Sequence, residues 1–163
     1  METTSVKFGN DGVPTEGADP IEILINDHRI VKGVLEELPT AVGSQRTDLL
    51  ERLKALLTIH NATEENLVYP AIHEIALRPV HAGQLYHQQD DAKIIVWKLE
   101  RFVEQDAEFR QLATKLRDAV LAHAKHEEET EFPKLREAAD PEQMAALASA
   151  VREFRASFRF APR

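Results

Sequence analysis

His60-Asn61-Ala62-Thr63-Glu64-Glu65-Asn66-Leu67-Val68-Tyr69-Pro70 has a counterpart further along the chain, His123-Ala124-Lys125-His126-Glu127-Glu128-Glu129-Thr130-Glu131-Phe132-Pro133. Both stretches read His-x-x-x-Glu-Glu followed by an aromatic residue and a proline at the same spacing. On a helix, residues four apart lie one above the other, which places His60 over Glu64 and His123 over Glu127. Stepping backwards from His60 meets Leu57 or Leu56, then Leu53 and Leu49; from His123 it meets Ala119, Leu116 and Leu112. Each His/Glu pair thus continues an apolar stripe and points into a helical core. His28 stands the same way between Leu24 and Val31.

Working outward, the period is helical from residue 19. Asp19-Pro20-Ile21-Glu22 reads as an N-cap, a first-turn proline and the Glu of a capping box. The helix it opens runs to Pro39–Ser44. A second helix follows from about Ser44, with a turn region between Pro70 and Pro79. A third covers roughly 80–104. A fourth starts near Asp106 with Phe109, Leu112, Leu116 and Ala119 inside, and runs to Pro133. Asp140-Pro141-Glu142-Gln143 opens a fifth, with Met144, Leu147, Val151, Phe154 and Phe158 as its stripe. No strand-like alternation is present, so the expected fold is all-α: an antiparallel up-down-up-down four-helix bundle with an additional C-terminal helix. The expected division is a flexible tail over 1–18, a bundle over 19–138 and an accessory helix with its tail over 139–163.

Composition narrows the function. The 163 residues include no cysteine, which excludes disulfides, thiolate metal sites and a cysteine nucleophile. Twenty basic and 28 acidic residues leave a formal charge of −8, which disfavours nucleic acid and anionic lipid as partners. The longest apolar run, Ile94-Ile95-Val96-Trp97, is far short of a membrane span. With no apolar signal core near the start, the expected location is cytoplasmic.

Buried carboxylates need a counter-charge, and the lysines and arginines lie off these stripes. A metal pair supplies it and accepts neutral imidazole as well. Spacing offers an independent check, because residues equidistant from a turn share a height in an up-down bundle. The midpoint of His28 and His60 is 44, that of His60 and His87 is 73–74, and that of His87 and His123 is 105. All three fall in expected turns, so four histidines are expected to converge on one layer.

This constellation resembles the hemerythrin-like family, the HHE cation-binding domain, over roughly residues 20–136. The resemblance rests on His28, His60 with Glu64, His87, and His123 with Glu127. It implies a non-haem di-iron centre, two Fe ions with an oxo or hydroxo bridge. His28 and His60 would hold one iron, His87 and His123 the other, and Glu64 and Glu127 would bridge them. Oxygen carriers of the family have a second histidine one turn after the helix-3 histidine and an Asp five residues after the helix-4 histidine. Here those features are replaced by Asp91 and by Glu127, four residues after His123. Four imidazoles and two bridging carboxylates supply about eight bonds where two six-coordinate irons want about twelve. Even with the bridge, about one position stays open on each iron.

The implied activity is therefore reaction with peroxide, nitric oxide or oxygen, small ligands admitted to a buried site. The rival is a non-enzymatic protein that binds or senses oxygen, nitric oxide or iron. Asp91 is a less favoured seventh ligand. Tyr69 and Tyr86 are candidates to donate to a metal-bound species or simply to pack. Glu65 and Glu128 are expected outside the ligand set, and His73, His81 and His126 on the surface. No organic-substrate pocket is legible in the sequence.

Overall fold

The computed structural model describes residues 19–158, so the expected tail over 1–18 and the last five residues lie outside the described residues. Helices account for nearly all of the described part, with no strand within it: α1 (Pro20–Glu37), α2 (Ser44–Thr63), α3 (Tyr69–Glu74), α4 (Pro79–Arg101), α5 (Asp106–His126), α6 (Phe132–Ala138) and α7 (Pro141–Ser157). The starts near 44, 80, 106 and 141 agree with the sequence. At the first, Asp19 caps α1 by accepting from the Ile21 N–H at 2.8 Å, but Glu22 does not close a box. It accepts from Arg136 of α6 at 2.9 Å, beside Asp19, which accepts from the same guanidinium at 2.6 Å. The box expected at Asp140 and Gln143 is present in full.

Pro70 and Pro133 do not end their helices. A π-turn over Glu64–Val68 joins α2 to α3, and another over Glu127–Glu131 joins α5 to α6. Proline inside an α-helix clashes with the carbonyl four residues back; a widened turn just before it relieves the clash. The N–H of Tyr69 accordingly bonds the Glu64 carbonyl, five residues back, and the N–H of Phe132 bonds that of Glu127. The Glu65 carbonyl, released from the ladder, accepts from the Tyr86 hydroxyl at 2.6 Å.

Helix α1 packs on α2 and α5, and α4 packs on the same two, so the four long helices close into a bundle. Helix α7 lies against α1 and α2, burying Leu147 and Val151. The apolar core comes in two blocks. One contains Val31, Leu35, Leu53, Leu99, Phe109 and Leu116. The other contains Ile21, Leu24, Ile72, Leu85, Phe132 and Val151. Between the blocks, each long helix contributes buried or partly buried polar residues: Asp27 and His28, His60 and Glu64, Gln89, His123 and Glu127. The fold thus holds a polar layer between two greasy ends.

At the first block's end Arg46 is buried, donating to the carbonyls of Ala41 at 3.0 Å and Val103 at 2.7 Å and to Asp106. It clamps the turn after α1 to the turn before α5. At the other end Glu131, fully buried, accepts from Arg78 at 2.7 and 3.0 Å. His81 and His126 approach it at 3.4 and 3.1 Å, so these two are half-buried partners of a carboxylate rather than free surface residues; His73 is exposed as expected.

Burial pushes the Glu131 carboxyl up, but Arg78 outweighs it and holds the group below its ordinary value of 4.5. Its stabilisation is complete above that value and is lost as pH falls through the lowered one. Arg78→Met leaves the buried carboxylate with the two histidines alone and is expected to cost about 2–3 kcal/mol at pH 7. The loss should shrink as pH falls through the carboxylate range, checked by urea unfolding at pH 7 and 4; an equal loss at both would contradict the pairing.

Candidate metal centre

The two π-turns decide what faces the centre of the layer. At about 4.4 residues per turn a residue five positions on comes round to the same side, whereas in an α-helix it points well away. Tyr69 therefore lies over Glu64, and Phe132 over Glu127. The Tyr69 hydroxyl is 3.1 Å from Glu64 Oε2, 2.8 Å from Glu127 Oε1 and 3.2 Å from His123 Nε2. Phe132 lies parallel to the His28 ring at 6.1 Å.

Three imidazoles enter this layer with Nε2 inward. His28 Nε2 is 3.3 Å from Glu127 Oε2 and 3.9 Å from Glu64 Oε1. His60 Nε2 is 3.2 Å from Glu64 Oε2, and His123 Nε2 is 3.2 Å from Glu127 Oε1. Each ring is anchored at its other nitrogen. His28 Nδ1 donates to Glu128 at 2.8 Å, His60 Nδ1 to Asp27 at 3.3 Å and His123 Nδ1 to Gln88 at 2.7 Å. Carboxylate and amide oxygens only accept, so the Nδ1 positions carry protons, and a ring that is otherwise neutral presents a lone pair at Nε2. Asp27 is held in turn by Arg155 of α7 at 2.7 and 3.1 Å.

Lone pairs aimed at carboxylate oxygens repel unless a cation lies between them. His28 Nε2, Glu64 Oε1 and Glu127 Oε2 are buried without a hydrogen-bond partner, as is Gln89 Oε1. Ligand atoms from His28, His60, Glu64 and Glu127 lie within 4.8 Å of one another. Donors on opposite sides of a cation with bonds of about 2.1 Å are about 4.2 Å apart, so the cluster needs only slight contraction to hold one. The protonation balance shows the same demand for positive charge. Burial lowers His60, yet Glu64 and Asp27 prevail and push it up to about 10. His28 is raised as well, since Glu127 and Glu128 outweigh its burial. Burial and the two glutamates together push the Tyr69 phenol well above its ordinary value. Neither Glu64 nor Glu127 has a Lys or Arg partner among the described residues. The donor set fits a metal cation.

His87 lies outside this cluster. It is exposed, and so are Asp91 and Glu128; Tyr86 sits apart on the Glu65 carbonyl. Helix α4 turns Ala82, Leu85, Gln89, Val96 and Leu99 inward, and His87 is two residues, roughly 200°, from Leu85 and Gln89. The midpoint rule specified a height on the helix, and the face is set by the apolar stripe. Gln89 occupies the inward place, donating from Nε2 to Glu64 Oε2 and to the Tyr69 hydroxyl, both at 2.6 Å. Glu65 pairs with Lys93 outside the cluster. Asp27, Gln89 and Arg155 had no role in the sequence reading. For the first two a signal was present: each is a polar residue at a stripe position, Asp27 between Ile23 and Val31, Gln89 between Leu85 and Val96.

The hemerythrin HHE cation-binding domain model matches residues 19–135. The chain belongs to that family. A curated relative, a "DNA nickase" from Nostoc sp. (strain PCC 7120 / SAG 25.82 / UTEX 2576), is 26% identical over 149 residues. The match takes in 88% of this chain but 41% of the relative, so the chain spans about two fifths of that protein's length. No helix among the described residues is long and apolar enough to cross a membrane.

The face assignment on α4 is open to direct test. His87→Ala should keep the metal content of the parent and change stability by less than about 0.5 kcal/mol. Gln89→Ala leaves Glu64 and Tyr69 short of a donor and should lower both. Elemental analysis and thermal melting of the two variants check this, and the reverse order would restore His87.

Proposed function

We propose that this chain is a non-haem metalloprotein that holds iron in its polar layer and reacts there with small oxidants: peroxide, nitric oxide or oxygen. The observation that carries the reading is the set of orphaned inward atoms, His28 Nε2, Glu64 Oε1 and Glu127 Oε2, buried together with no Lys or Arg beside them. His28, His60, Glu64 and Glu127 would hold the first cation. A second cation would be held by His123 with Glu64 and Glu127, whose Nε2, Oε2 and Oε1 all contact the Tyr69 hydroxyl. Glu64 and Glu127 would be shared between the two cations.

Bound iron would supply the one-electron chemistry. The chain's own residues do the rest. Asp27, Glu128 and Gln88 fix the three imidazoles in their ligating tautomer, as outer partners of metal-bound histidines do. The Tyr69 phenol, kept protonated by its surroundings, donates its hydrogen to Glu127 at 2.8 Å and so positions that carboxylate. The two apolar blocks limit water's access from either end. With Gln89 in place of an imidazole, α4 leaves the second position with fewer strong donors than the first. That shortage favours reaction over reversible oxygen carriage.

Aerobically purified protein is expected to contain two irons per chain, with near-ultraviolet bands of an oxo-bridged pair, and to consume peroxide or nitric oxide catalytically. His60→Ala should lose most of the iron. One iron per chain would contradict the di-iron reading. Stoichiometric binding without turnover would favour the sensor. The relative's name favours a second reading, action on DNA, against which stands the formal charge of −8. Nicking of supercoiled plasmid by the metal-loaded chain would support it.

A further inference from the structure

Helix α7 lies beyond residues 19–135, the span that the family model matches, yet it reaches the polar layer. It packs on α1, on α2 and on the π-turn over Glu64–Val68, the three elements that supply His28, His60 and Glu64. Its buried residues are Leu147 and Val151. Near its end the Arg155 guanidinium, on a side chain only 10% exposed, donates to both oxygens of Asp27, at 2.7 and 3.1 Å. Asp27 accepts in turn from His60 Nδ1 at 3.3 Å. We propose that Arg155 is a positioning residue of the metal centre: by clamping Asp27 it fixes the His60 ring for ligation, and so couples the docking of α7 to the binding of a cation.

The three imidazole anchors are not alike. Glu128 and Gln88, which hold His28 and His123, are exposed, and no Lys or Arg bonds to either among the described residues. Asp27 is buried, and a guanidinium that spans both of its oxygens fixes the plane of the carboxylate. Paired on Asp27, Arg155 adds little net charge, so what it contributes to the centre is orientation. Without that fork Asp27 keeps His60 alone as a partner, in a place that little water reaches. A ligating imidazole whose outer partner is lost binds metal less tightly, by about 10–100-fold. The coupling also runs the other way. At 3.3 Å, the bond from His60 Nδ1 is long beside the roughly 2.8 Å of a charge-assisted one. A cation on Nε2 draws electron density from the ring and makes Nδ1–H a stronger donor to Asp27. Asp27, Arg155 and with them α7 are then held more firmly, by the same factor that α7 contributes to the cation's affinity.

This role rests on the proposed metal centre, and Co²⁺ tests both. The chelator-treated full chain is titrated with Co²⁺, read by visible absorption and by competition with a chelator. His60→Ala supplies the background of weaker binding at exposed histidines. Arg155→Met keeps the apolar stem of the side chain and should weaken Co²⁺ binding at least about tenfold. Asp27→Asn should do the same, and in that background Arg155→Met should cost less than about twofold more, because the two act in series. Hydrogen exchange supplies a readout independent of activity. Co²⁺ should slow exchange over residues 141–157 by about the factor in affinity that Arg155→Met loses. That protection should be missing in the variant while α5 keeps its own. If Arg155→Met loses its helical circular dichroism, Arg155→Gln replaces it. Undiminished or tighter Co²⁺ binding in the variant, losses that multiply in the double variant, or metal protection of α7 that survives without Arg155 would each overturn the proposal. A parent that binds Co²⁺ no better than His60→Ala defeats the metal reading, and the role of Arg155 with it. Tight binding by the parent, matched by Arg155→Met, defeats the role of Arg155 alone.

Discussion

Two buried glutamates without a basic partner are the constraint on which the rest of this structure depends. Elsewhere in the bundle, the buried or partly buried acids that face the interior have arginine: Glu131 has Arg78, and Asp27 has Arg155. Glu64 and Glu127, both fully buried, have only imidazoles, a phenol and an amide around them. Burying a carboxylate costs several kcal/mol after relaxation, and two such costs fall within one layer. The arrangement is stable in the form it takes only with positive charge among those atoms. Protons on His28 and His60 are one source, and the raised affinity of both rings for protons shows the pull. A metal cation satisfies the same oxygens and the Nε2 lone pairs together.

The fold serves this layer. Two apolar blocks flank it, so the helices are held at both ends independently of what the layer contains. The π-turns fall at Glu64 and Glu127 themselves, where they let each helix pass a proline and bring Tyr69 and Phe132 round to the inner side. The accessory helix α7 is tied in as well: Arg155 reaches Asp27, which holds His60. Two steps of hydrogen bonding thus connect the chain's last described helix to an inward-facing imidazole.

Much of this was legible in the sequence because the core stripes are regular. The helix starts at Ser44, Asp106 and Pro141 followed from capping and periodicity, and the repeated His-x-x-x-Glu identified the two inward pairs. His28 followed from its place between Leu24 and Val31. Three features were not read, each for a physical reason. Proline normally closes a helix, and nothing local marks a π-turn that carries the chain past Pro70 and Pro133. Helical phase across such a turn cannot be counted at 3.6 residues, so the sequence leaves Tyr69 open between donating to the centre and packing. On α4, residue type and height alone single out His87. The stripe through Leu85, Gln89 and Val96 shows that the inward residue is an amide.

The most direct test of the central claim is anomalous diffraction at the iron absorption edge from crystals of the aerobically purified chain. The account predicts a strong anomalous peak bounded by His28 Nε2, His60 Nε2, Glu64 and Glu127. Absence of a peak there in crystals of protein that carries iron in solution, or a peak confined to exposed histidines such as His87, would contradict it.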